Sequence, residues 1–520
     1  MNPDQMGPGN VTSKIKRKSR GALDLPLFHY SAKRKLERLG VVDVGSNSVR
    51  LVIFDGAARS PAYFFNEKIL CGLGAGLEET GLLNPQGRVR AMAALKRFVL
   101  LAHAMEAGPL YSVATAAVRE ATDGPEFCRE VKKQTGLELN VAAGEEEARL
   151  SAQGVLLGWP EANGLMSDIG GSSMELAEIS DGEVGMCMTS ALGPQKLAGY
   201  AAKGQLPQVI AARVGALRQK INKDYKTLFL VGGSWRAIAR LDMERRQYPL
   251  RVLHEYAMTP DGLNETVDWI ATKSVDDLRA LTGSSEERMS LVPIAAQVLR
   301  ELIAQFRPSL IATSSYGIRE GLLYEQMPDS LRKRDPLIEA CLYMERASAR
   351  NPGFGKVLFE FLLPLFADAP PERLRLIKAA CLIHDVTWRA HPDYRAEVCF
   401  DNATRANLGG LDHAGRVFLG TALLNRYKNS QAKTAFNDVI GLLPEEEQIA
   451  AEVVGKAMRF GAMLSGASIK MMGHLNYDPA GKVLELVLKQ KSRDLFGEVV
   501  VSRFESLGKA LGCETRLVVV

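Results

Sequence analysis

Residues 41–55 read VVDVGSNSVRLVIFD. Valines surround Asp43, a Gly-Ser-Asn-Ser cluster follows, and a second apolar run begins at Val49. Two short apolar runs around such a cluster predict a pair of buried strands joined by a tight turn. Turn chemistry alone needs one or two Gly, Asn or Ser residues. This turn carries Asp43, Gly45, Ser46, Asn47, Ser48 and Arg50, and the surplus points to a use beyond folding. Residues 168–176, DIGGSSMEL, repeat the pattern D-apolar-G-x-x-S-x-x-L, again between two apolar runs. The repeat predicts two similar α/β domains, each opening on a strand–turn–strand unit.

The segments between the repeats agree. Residues 63–70 read as a third strand, and Asn84 followed by Pro85 marks a helix start. Residues 109–115 and 137–143 read as strands, with helices opening at AAVREA and at GEEEAR. Strands feeding helices on one sheet define α/β architecture. After residue 328 apolar residues recur at helical spacing with few strand signals. The C-terminal end reads as strand (KVLELVLKQ), strand leading into helix (EVVVSRFESLGKALG), and strand (ETRLVVV). The expected division is an arm over 1–38, α/β domains over 39–158 and 159–328, a helical domain over 329–468, and a small α/β domain over 469–520.

Bulk properties narrow the function classes. The chain of 520 residues is 46% hydrophobic and 24% charged, the balance of an ordinary soluble protein. No apolar run reaches the ~18 residues a membrane span needs, and no secretory h-region follows the basic N-terminus. Seven scattered cysteines without a CxxC pair predict reduced thiols in a cytoplasmic protein and argue against a zinc knuckle. Nine of the Lys and Arg residues, but three acids, lie in the first 40 residues, so the remainder carries about −1 of the net +5. The basicity belongs to the arm. That favours a disordered, solubilising arm over a polyanion-binding one, and no specific nucleic-acid site is expected.

Successive backbone N–H groups and hydroxyls in a Gly/Ser turn form a concavity that binds phosphate oxygens. Two such turns facing one another would clamp a phosphoryl group through Gly45, Ser46, Asn47 and Ser48 on one side and Gly170, Gly171, Ser172 and Ser173 on the other. Asp43 and Asp168 open the two turns and can hold Mg2+, which takes one or two carboxylates together with phosphate oxygens; Asp43 can equally cap its turn. A third glycine turn, Gly232, Gly233 and Ser234 in LFLVGGSWRAIARL, precedes a helix whose N-terminus attracts anions.

These loops, together with VATAAVREATD, GEEEARL, VGGSWRAIARL and SSYGIREGLLY, resemble the exopolyphosphatase and guanosine pentaphosphate phosphohydrolase family. The resemblance implies duplicated actin/sugar-kinase/Hsp70-like ATPase domains, then an all-α HD-like domain and a small α/β C-terminal domain. It implies hydrolysis of inorganic polyphosphate or guanosine pentaphosphate (pppGpp), with Mg2+ or another divalent cation and K+ as a candidate monovalent ion, in a homodimer. Ser172 stands where the family usually has a third glycine, and a positive φ there would strain it.

Hydrolysis needs a positioned water, a base and charge neutralisation. The residues themselves do not choose among Glu145, Glu146 and Glu147, because acids gather in first helical turns; the resemblance selects Glu147 as the catalytic base. Glu175 occupies the slot that Arg50 holds in the first repeat, and either joins Asp168 at a metal or pairs with Arg50. Arg119 reads as a first-turn cation, unfavourable for its helix, which suggests a phosphate contact. Lys196 falls near a basic position of the family. Arg288 and Arg319 are further cations, but spacing traces no track for a chain. His384 and Asp385 match an HD pair without the upstream histidine, which favours a hydrogen-bonded pair over a metal centre. Against an exopolyphosphatase stand a pentaphosphate phosphohydrolase, a non-catalytic phosphate sensor and a kinase; the retained Glu147 opposes the sensor, and no aspartate-base motif supports the kinase.

Overall fold

A computed structural model describes residues 37–56, 58–428, 434–468 and 473–520. The expected arm lies outside these residues except for Glu37 and Arg38. Arg38 is tied to the body: its Nη1 donates to Met105 O at 2.7 Å, and its guanidinium lies 3.8 Å from the Phe64 ring centre.

The first sheet contains β1 (Leu39–Val44), β2 (Ser48–Phe54), β3 (Tyr63–Leu70) and β4 (Leu110–Ala114), in the order β3-β2-β1-β4. The second contains β5 (Gly164–Ile169), β6 (Met174–Ser180), β7 (Glu183–Ser190), β8 (Thr227–Val231), β9 (Ala257–Met258) and β10 (Leu310–Thr313), in the order β7-β6-β5-β8-β10-β9. The first four strands of each sheet share one topology. The repeat is a repeat of structure, with β1 antiparallel to β2 and parallel to β4, and β5 antiparallel to β6 and parallel to β8. The Pro85–Ala104 helix starts as its sequence predicts, with the Asn84 side chain accepting from Gly87 N at 2.8 Å.

Residues 137–143 depart from expectation. Their backbone pairs with the sheet through an isolated bridge between Ala114 and Val141 rather than a ladder. Side chains replace the ladder: Ser112 Oγ bonds Glu138 O, and Asn140 Nδ2 donates to Ser112 O at 3.2 Å.

Two helices, Gly144–Gly158 and Ile318–Glu325, lie between the sheets. Their apolar faces form one core with Val41, Val52 and Phe54 of the first sheet and Met166, Ala177 and Phe229 of the second. The crossing is close because glycines face backbone: a Cβ on Gly154 would lie 2.3 Å from Gly317 O, and one on Gly321 1.8 Å from Leu150 O. Buried Arg59 pins the loop after β2, donating to Leu157 O at 2.6 Å and Arg334 O at 2.9 Å.

Beyond residue 335 the chain is helical, through Pro336–Ser348, Phe354–Leu362, Pro371–Ile383, Arg395–Arg405, His413–Tyr427 and Glu445–Ser465. The third sheet, β11 (His474–Asp478), β12 (Val483–Leu488) and β13 (Glu514–Val519), follows in the order β11-β12-β13. EVVV, read as a strand, is the start of the Glu498–Leu511 helix. Val500, Phe504 and Leu507 fall on one helical face and are buried, so helical spacing overrides β-branched propensity. Leu475, Leu484 and Phe504 share a single core with the helical region, so one core lies on both sides of the boundary expected between the last two domains. Among the described residues no helix is long and apolar enough to cross a membrane. All seven cysteines are free thiols.

Candidate active site

The two hairpin turns face one another across a cleft of about 320 Å3 between the sheets. They are built alike: Gly45 N donates to Ser48 O at 3.0 Å, and Gly170 N to Ser173 O at 2.9 Å. Registers match as well, with Asp43 opposite Arg50 and Asp168 opposite Glu175. All eight expected turn residues line the cleft, together with Gly233 and Ser234. Ser172 lies outside the left-handed region, so the serine stands there without the strain a positive φ would bring. Gly232 does need its glycine, because its φ is 108° and a Cβ would meet Ile169 O at 2.7 Å and Asp168 Oδ1 at 2.8 Å.

Glu147 lines the cleft from the first turn of the Gly144–Gly158 helix and is 8% exposed. Its neighbours in sequence point elsewhere: Glu145 is exposed, and Glu146 accepts from Arg149 Nε at 2.9 Å. Burial pushes the Glu147 carboxyl up to about 7; the Arg119 guanidinium opposes that, and Asp168 and Asp43 add to it. Since a base acts only when deprotonated, phosphate release should rise as pH increases through about 7, and a pH–rate profile between 5 and 9 checks the sign. A rate that falls across that interval would rule out a carboxylate base.

One turn further along the same helix, buried Ser151 donates to Asp168 Oδ2 at 2.5 Å. Burial raises the Asp168 carboxyl; Ser151 and Arg236 lower it. Burial likewise raises Asp43, against Arg319 and Arg50. Asp43 accepts from Arg319 Nη1 at 3.3 Å and takes no hydrogen bond from its own turn, so the capping alternative does not describe it. Glu175 is raised well above the usual range, by burial first and then by Glu147 and Asp168. It accepts from Thr189 Oγ1 at 3.1 Å, and Arg50 Nε donates instead to Asn66 Oδ1 at 2.7 Å; the alternative Arg50–Glu175 ion pair is not formed. Glu175 sits behind the lining rather than in it.

The donor set suits a hard divalent cation. Asp43 and Asp168 both line the cleft, and each raises the other's carboxyl pKa or that of Glu147, a crowding that a cation would relieve. Among the described residues no three such side chains gather closely enough to hold an ion alone. Asp43 and Asp168 would hold Mg2+ as its one or two carboxylates, and phosphate oxygens would complete the set.

Arg119 differs from expectation. Its helix, Ala116–Glu120, has five residues, and Arg119 lies in the last turn, where a cation is favourable. Its Nη1 donates to Ala142 O at 2.7 Å and pairs with Glu147. Thr115 precedes that helix without a side-chain cap bond. Lys196 bridges the rim, to Glu78 at 3.0 Å and Glu120 at 3.1 Å. Arg236 was not anticipated. It sits in the first turn of the Gly233–Arg245 helix and lines the cleft, and among the described residues its hydrogen bonding is a long 3.5 Å contact to Ser314 O. A cation in the first turn behind the glycines was its signal. Arg50, Lys68, Arg288 and Arg319, scattered in sequence, line the same cleft.

A buried glutamate facing two Gly/Ser turns across a cleft between duplicated α/β domains suits a phosphatase, a hydrolase of phosphoryl groups. The model of the Ppx/GppA phosphatase family matches residues 52–330, and the chain belongs to that family. A second model, described as exopolyphosphatase, C-terminal, matches residues 349–518. Exopolyphosphatase 1 of Mycobacterium tuberculosis is 27% identical over 322 residues, covering 58% of this chain and 92% of the relative. A guanosine-5'-triphosphate,3'-diphosphate pyrophosphatase of Aeromonas hydrophila is 24% identical over 408 residues, covering 74% and 80%. The crystal structure of an exopolyphosphatase from Cytophaga hutchinsonii shares the fold, with a TM-score of 0.52 and 23% identity, over 57% of this chain and all of that one.

Proposed function

We propose that this phosphatase is an exopolyphosphatase, hydrolysing the terminal phosphoanhydride bond of inorganic polyphosphate and releasing orthophosphate. The observation that carries the reading is the continuity of the cleft. Arg319, Arg50, Lys68 and Arg288 line the same cavity as Glu147 and the two turns, and Lys68 feels the other three charges. A chain with about one charge per phosphate suits such a flank, whereas a single phosphomonoester would leave most of it unused.

In this reading the turn N–H groups and hydroxyls hold the terminal phosphoryl, and Arg236 and Arg319 neutralise its oxygens. Glu147, ionised, takes a proton from the attacking water, and the shortened chain leaves along the basic flank. Arg119 holds the Glu147 carboxylate in place, and Ser151 holds that of Asp168. Mg2+, when bound by Asp43 and Asp168, supplies positive charge to the phosphate oxygens.

A second reading, guanosine pentaphosphate 5′-phosphohydrolase, is favoured by the relative of that substrate class, whose similarity extends over 74% of this chain. Phosphate release from long-chain polyphosphate and from guanosine pentaphosphate, measured side by side with and without Mg2+, separates the two. We expect a kcat/KM at least tenfold higher on polyphosphate and a loss of turnover without the cation. A preference for the nucleotide sinks the first reading, and full turnover in chelator sinks the role of Asp43 and Asp168.

A further inference from the structure

The HD pair of the helical domain does not form the hydrogen bond expected of it. Both Asp385 oxygens accept from Arg350 at 2.7 Å, and His384 Nδ1 meets Cys381 O at 2.8 Å. The helical domain bears on the catalytic cleft through a different histidine, His254, which is 3% exposed. The His254 ring lies between two aromatic rings, 5.0 Å from Trp159 and 4.6 Å from Tyr316, centre to centre. Trp159 directly follows the Gly144–Gly158 helix that carries Glu147. Tyr316 lies three residues before Arg319, and Gly317, Ile318 and Arg319 all line the cleft. The packing is tight: a Cβ on Gly158 would lie 2.7 Å from His254 Cε1 and 3.2 Å from Tyr316 Cδ2.

The two ring nitrogens face different groups. Ser315 N donates to His254 Nδ1 at 3.3 Å. Burial pushes the imidazole down to about 3, and Arg416 and His413 add to that, so the ring is neutral. With Nδ1 accepting, the ring proton is on Nε2. Nε2 faces Glu255 Oε1 at 3.5 Å, beyond the usual hydrogen-bond range, and is otherwise unpartnered among the described residues. The same Glu255 oxygen accepts from Leu411 N, in the helical domain, at 2.9 Å. Glu255 is buried and has a φ of 63°, in the left-handed region that residues other than glycine seldom adopt. Tyr316 OH makes a second link to the helical domain, donating to Asn407 Oδ1 at 3.2 Å. Buried Arg416 braces that segment, with Nη1 to Ala406 O at 2.8 Å and Nη2 to Leu408 O at 2.7 Å.

A left-handed glutamate and a buried N–H short of its acceptor both work against stability. Such features persist where the surroundings over-determine them, often around active sites. Here they converge on one ring that touches the end of the Glu147 helix and the turn leading to Arg319. We propose that His254 is a positioning residue of the active site: it fixes the Arg319 turn against the Glu147 helix, and Leu411 of the helical domain holds it there through Glu255. It touches no substrate and acts through these two elements.

Two substitutions separate positioning from packing. His254→Phe keeps a ring between Trp159 and Tyr316 and removes both nitrogens. His254→Asn keeps an acceptor near the Nδ1 position and leaves a cavity where the ring was. A purely packing role ranks His254→Phe above His254→Asn in stability and in rate alike; the positioning role reverses the order in rate. Phosphate release is measured on whichever of polyphosphate and guanosine pentaphosphate is turned over faster, beside the denaturant midpoint. His254→Phe should lower kcat about tenfold with KM changed by less than about twofold, and His254→Asn should retain more of kcat despite a lower midpoint. If His254→Phe fails to fold by circular dichroism, Glu255→Leu and Glu255→Gln carry the test: the first should lower kcat, and the second, which keeps an oxygen for Leu411 N, should restore it. The inference rests on the reading of Arg319 as a cation that meets phosphate, and Arg319→Ala checks that reading separately. Wild-type turnover in Arg319→Ala overturns that reading and this inference with it. Slow turnover in Arg319→Ala, with His254→Phe at or above His254→Asn in kcat, overturns the inference alone. So does a Glu255→Gln variant no faster than Glu255→Leu.

Discussion

Glu147→Gln should lower kcat for phosphate release by about 10²- to 10⁴-fold, the range that a positioned general base contributes. The substitution keeps the size and the hydrogen-bonding edge of the side chain and removes only its capacity to take a proton. Three observations make this the largest catalytic effect expected. Glu147 is the member of its acidic triplet that lines the cleft. Burial raises its carboxyl to about 7, where it is both ionised and basic enough to accept a proton. Arg119 holds it in place from behind. Binding of orthophosphate should survive the change, because the turn N–H groups and Arg236 are untouched. The rising limb of the pH–rate profile should disappear with the base. Rapid-quench measurement of single-turnover phosphate release isolates the chemical step. A variant with near wild-type single-turnover rate and the same pH profile would assign the base elsewhere.

Gly321→Val should produce the largest loss of stability. A Cβ at Gly321 would lie 1.8 Å from Leu150 O and 2.6 Å from Leu150 C, both backbone atoms that no rotamer change can move aside. The two helices must then separate, and overpacking of this kind costs about 1–3 kcal/mol or more. The same helices carry Glu147 and Ser151 on one side of the crossing and Arg319 and Glu320 on the other. Separation would pull Arg319 from Asp43 and Ser151 from Asp168, so activity should fall further than stability alone requires. A denaturant midpoint measured beside kcat/KM checks both effects. If Gly321→Val unfolds at the wild-type midpoint, the helices are not as tightly apposed as the glycines indicate.

Much of this site was legible in the chain. The turns at 45–48 and 170–173 declare themselves because turn chemistry is local: a few Gly, Ser and Asn residues between apolar runs dictate a hairpin whatever the surroundings. Their repetition declares the duplication, and the Asn84 cap declares its helix. Other features were not legible for a common reason. Residues 137–143 have the composition of a strand, but Ser112 and Asn140 side chains take the bonds a ladder would use. EVVV has strand propensity, but burial of Val500, Phe504 and Leu507 on one face makes it helix. Arg119 looks like a first-turn cation until its helix proves to be five residues long. Arg236 and Ser151 each sit in a helix that sequence identified, yet nothing local aims them at Asp168.

The sequence by itself determined that two like α/β units each present an aspartate and a Gly/Ser turn, because strand, turn and cap preferences act over a few residues. Tertiary structure alone decided that the turns face one another, that Glu147 and not Glu145 or Glu146 lies between them, and that Arg50, Lys68, Arg288 and Arg319 share one flank. It also decided that Asp385 pairs with Arg350 and not with His384. Those outcomes depend on how closely two glycine-faced helices approach between the sheets, and on charges brought together from distant parts of the chain, where burial and Coulomb energy, not local propensity, set the arrangement.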